Sequence, residues 1–375
     1  MRILLIAPLP PPITGHSLAT KVFREDLASA HHVEVVDLTK ESTKDGEIRL
    51  KRIGEVIRIL KNTWRLKKHA DAIYLTISES VAGNLKDIFI YLICVRRLSR
   101  MYIHLHGGSI GSLLFERYKL IALLNKLFIS RLGGLIVSGD SHLHIFANMI
   151  SPSKIHVVPN FASNNLFISR DEITDKFSNT QPLRILYVSS LQEKKGYNEL
   201  ADAYLSLNNE LRSRIRIDFA GRFESEPHKE AFLKKIAGAE QIQYHGVIED
   251  EKKKLLFAKA HVFCLPTTFL EGQPISILEA YASGCVVLTT CQPGILDIFK
   301  VGVNGYPLQD GAPDSIKAAL EDIVERRETL LEMALENRQI AGQQYRTSIF
   351  TGRLRAIIET TISANLVAQR QSSLS

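Results

Sequence analysis

Apolar residues along this chain fall into short continuous blocks separated by stretches with helical spacing. The first half has Ile3–Ala7, Val33–Leu38, Ala72–Ile77, Met101–Leu105, Leu135–Ser138 and Ile155–Val158. A strand buried on both faces needs such an unbroken run, because helices cover both sides of a parallel sheet. Block, helical stretch, block is therefore the rhythm of a doubly wound α/β domain. The rhythm lapses over the polar segment Phe167 to Gln181. It restarts with Arg184–Ser189, Ile215–Ala220, Ile242–Tyr244, Val262–Leu265 and Val286–Thr289, followed by helical patterns over Leu330–Gln344 and Phe350–Leu366. The pattern predicts a first domain over residues 1–165, a linker over 166–182, a second domain over 183–345 and a terminal helical segment over 346–375. At 375 residues two cores are also the expectation from length.

Composition narrows the class. No apolar run approaches the roughly 20 residues of a membrane span. The four cysteines have no metal-ligand spacing and read as reduced thiols, which suits a cytoplasmic protein. The net charge of +7 is uneven: the first 170 residues carry 23 Lys and Arg against 13 Asp and Glu. A basic first half suits an anionic substrate or an anionic membrane surface. Nucleic acid is the weakest partner, since the aromatic and Arg-rich motifs of RNA-binding modules are absent. Two basic stretches, Arg49–Lys68 with Trp64 and Lys86–Arg100 with Arg96, Arg97 and Arg100, suggest peripheral contact with an anionic bilayer. Basic outer faces on ordinary packing helices are the competing reading.

The most informative stretch runs from Pro266 to Gly284, PTTFLEGQPISILEAYASG. It follows the apolar run ending at Leu265. Gly272 lets a loop backbone approach a ligand, Pro274 fits the first turn of a helix, and Gly284 fits its C-terminal cap. A helix starting at the end of a strand directs free N–H groups outward, and that is an anion site. Glu271 precedes the helix and Glu279 lies on it, with seven residues between them. For a single glutamate a solvated surface residue is the simpler reading; the whole string points to a site.

This string resembles the Glu-x7-Glu signature of retaining GT-B glycosyltransferases, the large glycosyltransferase family 4. The resemblance implies two Rossmann-like domains facing a cleft, with the last helix crossing back to the first domain. It implies that Glu271 contacts the sugar of a nucleotide-sugar donor. The backbone of Gly272, Gln273, Pro274 and Ile275 would hold sugar and phosphate, and Glu279 would take the ribose hydroxyls.

Four further segments join the same picture. In Pro8–Ser17 the prolines stiffen a loop, Gly15 permits a tight turn and Ser17 is placed to cap a helix. By resemblance Gly15 lies beside the donor phosphates, with His16 a lesser candidate. In Met101–Ser109, His104 and His106 share a strand face. A zinc pair lacks a third ligand of matching logic, the resemblance assigns His106 to the donor sugar, and His104 reads as a core histidine. Leu191, Lys195 and Gly196 match the family's phosphate-binding turn, where Lys195 would meet the leaving diphosphate. Ser190 stands where the family has Arg, which leaves Lys194 or Arg222 as the second cation. Gly246 ends the loop the family lays against the base, Glu249–Lys254 reads as a solvated helix start, Pro293–Asp297 resembles a loop near the donor, and Asn304–Gly305 reads as a hairpin or turn.

The sequence therefore predicts a retaining transferase moving sugar from a nucleoside-diphosphate sugar to a saccharide or lipid-linked saccharide. No metal or other cofactor is expected, since no Asp-x-Asp motif appears. The alternatives are a non-catalytic donor-binding subunit of a polysaccharide assembly complex, suggested by Ser190, and a GT-B sugar-nucleotide epimerase.

Overall fold

The computed structural model describes residues 1–39 and 48–372, with side chains over 1–39 and 51–360. The chain divides into two compact units: Met1–Asn160 with Ser348–Ser375, and Phe161–Thr347.

Unit 1 is built on six strands, β1 (Arg2–Ala7), β2 (His32–Asp37), β3 (Ala72–Thr76), β4 (Met101–Leu105), β5 (Gly134–Val137) and β6 (Ile155–Val157). They form one parallel sheet in the order β2-β1-β3-β4-β5-β6. The continuous apolar runs occupy its middle: every residue of β3, β4 and β5 is buried, whereas the edge strands β2 and β6 are largely half-exposed. Four helices carry the early connections: α1 (Gly15–Ala28), α2 (Ile48–Leu66), α3 (Val81–Ile93) and α4 (Lys119–Ile129). The last helix, Thr347–Ser372, belongs to this unit from Ser348 on. Its Thr351 hydroxyl donates to Asp26 at 3.1 Å, and Glu359 meets His31 at 2.8 Å.

Unit 2 repeats the plan with β7 (Leu183–Val188), β8 (Ile215–Ala220), β9 (Ile242–Tyr244), β10 (Val262–Leu265), β11 (Val286–Thr290) and β12 (Gly305–Leu308), ordered β12-β11-β10-β7-β8-β9. Its two chain ends are stitched together, with Ala162 N–H donating to the Tyr345 carbonyl at 2.7 Å.

The structure departs from the sequence reading in three places here. Residues 166–182 are not a free linker. Ser169 and Glu172 form a capping box, and the helix Arg170–Ser178 follows, buried at Ile173. Its Lys176 ammonium donates to the carbonyls of Ser283 and Gly284 at 2.6 and 2.9 Å. The polar composition hid it because the helix is short and buries one apolar residue. The chain does turn at 302–304, but Asn304–Gly305 joins no hairpin: Gly305 opens β12, which pairs in parallel with β11. Gly-Tyr-Pro-Leu reads poorly as a strand because Pro307 donates no ladder bond, which only an edge strand tolerates. In the first loop, Thr14 rather than Ser17 is the N-cap; Ser17 is the reciprocating N3 partner, so Gly15 is the first helical residue and not the turn.

Candidate functional site

Strand order alone marks where each unit can hold a ligand. In unit 2 the chain steps from β7 to β8 and β9, then returns to the other side of β7 with β10. The β7 and β10 ends therefore diverge, and open α/β sheets bind ligands outside strand C-termini at such a switch point. Lys195 follows β7 and Glu271 follows β10. The two side chains meet as an ion pair, each about a tenth exposed.

The loop that carries Glu271 is fixed from several sides. The backbone N–H groups of Thr268 and Phe269 donate to the Lys194 carbonyl at 2.8 and 3.1 Å. The Thr267 hydroxyl donates to Glu271 Oε1 at 3.1 Å, and the Thr290 hydroxyl of β11 holds the Thr267 carbonyl. Burial keeps the Tyr187 phenol protonated, and it donates to the Lys195 carbonyl at 3.1 Å. Gly196 completes the lysine turn at φ 80°, where a Cβ would lie 2.3 Å from the Pro266 carbonyl oxygen. The two loops are thus one mechanical piece.

Behind them the helix Ile275–Ala282 begins at Pro274, which is its N-cap rather than its first helical residue, and no side chain caps it. Eight residues would be marginal as an isolated helix. Packing holds this one: every residue except Ser276 is buried, and a fully buried aliphatic or aromatic side chain contributes about 1.5–3 kcal/mol. Its C-terminal end receives Lys176, a cation where the helix dipole is negative. Gln273 is buried beside the N-terminus. Glu279 is buried on the helix, accepting from Lys253 Nζ at 2.6 Å and from the Ser163 hydroxyl at 3.2 Å, both on Oε1.

The run Glu249–Lys254 does start a helix, Asp250–Lys259, and residues 249–252 are exposed; Lys253 is the exception, its ammonium turned inward to Glu279. No periodicity in EKKK singles it out. Gly294 is a second residue whose role the sequence hides. A Cβ there would lie 1.8 Å from the Gly272 carbonyl oxygen and 2.4 Å from that of Glu271. Glycine at 294 is what lets the backbone of the Glu271 loop pass.

The remaining unit 2 candidates line the same strand edge. Leu191 N–H donates to the Arg222 carbonyl at 2.9 Å, and Gly221 N–H to the Gly246 carbonyl at 2.8 Å. The side chains of Ser190, Lys194 and Arg222 are exposed. Gly246 sits at φ 73° with no atom within 4 Å of where a Cβ would stand.

Unit 1 carries its own polar cluster at the end of β4. The His106 ring stacks on His104 at 3.9 Å between centroids and on His16 at 4.4 Å. Burial lowers all three pKa values, to about 4 for His16 and about 3 for His104, with the neighbouring imidazoles adding to the shift at His104 and His106. The rings are therefore neutral. His104 is buried and meets the Tyr74 phenol at 2.6 Å through Nδ1. Burial keeps that phenol protonated, so it donates, which leaves the His104 hydrogen on Nε2. Among the described residues the Nε2 atoms of His16, His104 and His106 have no partner. The turn after His106 is held by Glu79, whose carboxylate accepts from Ser109 N–H at 2.6 Å and fills the space beside Gly107.

Comparison with known proteins bears on the family and the fold. Residues 169–340 match the family model of the glycosyl transferases group 1. The amylovoran biosynthesis glycosyltransferase AmsK of Erwinia amylovora is 24% identical over 184 residues, 48% of this chain and 45% of that protein. The chain thus spans less than half the length of the curated relatives it matches. HepE of Anabaena, in complex with UDP and glucose, superposes with a TM-score of 0.73 at 16% identity, over 96% of this chain and 100% of HepE. WaaG, a glycosyltransferase involved in lipopolysaccharide biosynthesis, gives 0.71 at 15% identity, over 96% of this chain and 99% of WaaG. The fold is GT-B.

Proposed function

We propose, for a chain whose residues 169–340 match the model of the glycosyl transferases group 1, that it moves a sugar from a nucleoside-diphosphate sugar to an acceptor hydroxyl with retention at the anomeric carbon. The supporting observation is the Lys195–Glu271 pair, set over the switch point at the uncapped tip of a buried helix. The pair reads as a placeholder for the donor. A diphosphate at the helix tip draws Lys195 toward itself, and Glu271, released, accepts hydroxyl hydrogen bonds from the sugar. Glu279 takes the ribose hydroxyls while Lys253 holds its other side. The C1–phosphate oxygen bond breaks with its electron pair on the diphosphate, and the acceptor oxygen bonds to C1 from the same face. The acceptor proton passes to the departing phosphate oxygen. The residues' share is positioning and charge stabilisation, carried by Lys195 and the helix N-terminus without a metal. His106, neutral and with its Nε2 unpartnered among the described residues, is the candidate to meet the donor sugar, with His16 against it as the lesser candidate.

AmsK and WaaG, named for amylovoran and lipopolysaccharide biosynthesis, support a saccharide or lipid-linked saccharide acceptor. Such work would be done in the cytoplasm, at the inner face of a membrane. The UDP seen in HepE makes a uridine nucleotide the first donor to test.

The experiment is release of nucleoside diphosphate from a panel of nucleotide sugars, with chelator present. Glu271→Gln and Lys195→Ala should each lower turnover by roughly 10²-fold or more while the fold is kept. Wild-type rates in both would refute the assignment. Ser190, exposed where the family has Arg, favours one second reading: a subunit that binds donor without turning it over. Thermal stabilisation by donor with no product under any acceptor would establish that instead. Isomerised donor without loss of nucleotide would mark an epimerase.

A further inference from the structure

Unit 1 presents a second surface, remote in kind from the strand-end chemistry. The strands β2, β1, β3, β4 and β5 are joined so that α2, α3 and α4 all connect strands stepping in one direction across the sheet. Right-handed crossovers therefore leave these three helices side by side on one face. The pairs α2–α3 and α3–α4 pack together. Asn125 in α4 donates to Asn84 in α3 at 2.7 Å in the buried seam.

A surface helix normally turns polar residues outward. These helices turn apolar stripes outward as well. On α4, Leu120, Leu123 and Leu127, spaced by three and four, are 69%, 62% and 57% exposed. On α3, Leu85, Phe89 and Leu92 form the same kind of outward stripe, and on α2 Ile53, Ile57 and Trp64 do. Their inner faces are apolar too: Ile88, Ile90 and Tyr91 of α3, and Phe128 and Ile129 of α4, are core residues. A contiguous exposed apolar face marks an interaction surface.

Charge says what covers it. Arg52, Arg58, Lys61 and Arg65 of α2 and Lys119 and Lys126 of α4 are exposed among the apolar stripes. Of the acids in the described side chains of these helices, Asp87 is buried and accepts from Ser78 N–H, which leaves Glu55. A second copy docked face to face would set cation against cation. An anionic bilayer matches both features, apolar insertion and basic charge. Trp64, exposed on α2, is the amphipathic ring that favours the headgroup level. Arg97 is not part of this surface: its guanidinium donates to the carbonyls of Ala70 and Lys68, both at 2.8 Å, and is structural. Among the described residues no helix is long and apolar enough to cross a membrane, so contact is by lying on the surface.

We propose that the α2–α3–α4 face rests on an anionic lipid surface, with the leucines of α4 and Phe89 of α3 entering the boundary between headgroups and acyl chains. It deepens the membrane-side placement of the transfer reading, yet its test needs no donor or acceptor. Trp64 is the chain's one tryptophan, so its emission reports this face alone. The full chain is mixed with phosphatidylcholine vesicles with and without phosphatidylglycerol, and partition is read by sedimentation. Binding is expected only with phosphatidylglycerol and should weaken with salt. Trp64 emission should shift to the blue and be quenched by brominated acyl chains. The double variant Leu123→Glu with Leu127→Glu, and Phe89→Glu alone, should each partition at least roughly tenfold more weakly, with unchanged far-ultraviolet circular dichroism and unchanged thermal stabilisation by UDP. Equal partition of wild type and variants, binding indifferent to phosphatidylglycerol, or no binding would overturn the proposal. So would a concentration-dependent dimer that the same variants abolish, which would make the face a self-interface. Should the variants fail to fold, the wild-type Trp64 shift and quenching decide alone. Lost transfer with intact partition would count against the enzyme reading and not against this surface.

Discussion

Replacing Gly294 with alanine tests whether the donor loop is held as tightly as its contacts imply. Gly294 lies in the short helix Pro293–Leu296 after β11, so alanine suits its backbone and any effect is steric. The added Cβ would lie 1.8 Å from the Gly272 carbonyl oxygen and 2.4 Å from that of Glu271, both backbone atoms. An ordinary carbon–oxygen approach is roughly 3.3 Å, so something must give by about 1.5 Å. The Thr267–Phe269 segment is anchored on Lys194 and Thr290, which leaves residues 271 and 272 to move, and with them the Glu271 carboxylate. A misplacement of about 1 Å costs on the order of 10²-fold in rate, equivalent to ~2.7 kcal/mol of transition-state stabilisation. Overpacking should lower stability by about 1–3 kcal/mol. The assay is steady-state nucleoside diphosphate release beside a chemical denaturation curve. Gly238→Ala, where a Cβ meets nothing within 4 Å, is the control and should be nearly silent. If Gly294→Ala keeps kcat/KM within about threefold of wild type, the loop is softer than argued and its geometry is not what sets the rate.

Two further outcomes are expected. Burial lowers the folded pKa of His16 from 6.5 to about 4 and of His104 from 6.5 to about 3. Their stabilising contribution is therefore complete above pH 6.5 and declines as pH falls toward the folded values, because the unfolded chain binds the protons first. Thermal midpoints should drop between pH 6.5 and 4, and His104→Gln, which can still accept from Tyr74, should flatten that slope; an unchanged slope would show that these rings do not govern it. Glu279→Ala should raise the donor KM about tenfold or more, the usual scale for hydrogen bonds to a charged group, and erase discrimination against a 2′-deoxyribose donor. Equal penalties for both donors in wild type would remove Glu279 from the ribose.

The sheets were legible because fully buried parallel strands must be continuous apolar runs, and eleven of the twelve observed strands coincide with such runs. The missed one, β12, is an edge strand containing Pro307, where a full ladder is not required. Glu271 and Glu279 were legible because a strand end, a loop glycine and a helix start leave a local pattern. Lys253, Gly294 and Lys176 were not. Each acts across a distance in sequence, on Glu279, Gly272 and Gly284, and single residues that meet only in the folded sheet leave no periodicity. The histidine stack was half legible: alternation placed His104 and His106 on one face, and only the fold brought His16 against them.

The seam at Ala162 and Tyr345 has a bearing on how the chain is made. Phe161–Thr347 is one uninterrupted segment with its ends laced together, so it holds all its own parts once it has left the ribosome. Unit 1, although synthesised first, draws on Thr351, Arg355 and Glu359 for contacts to Asp26 and His31. The N-terminal sheet must therefore wait, incompletely covered, through the synthesis of everything between, and the half begun earliest is the half finished last.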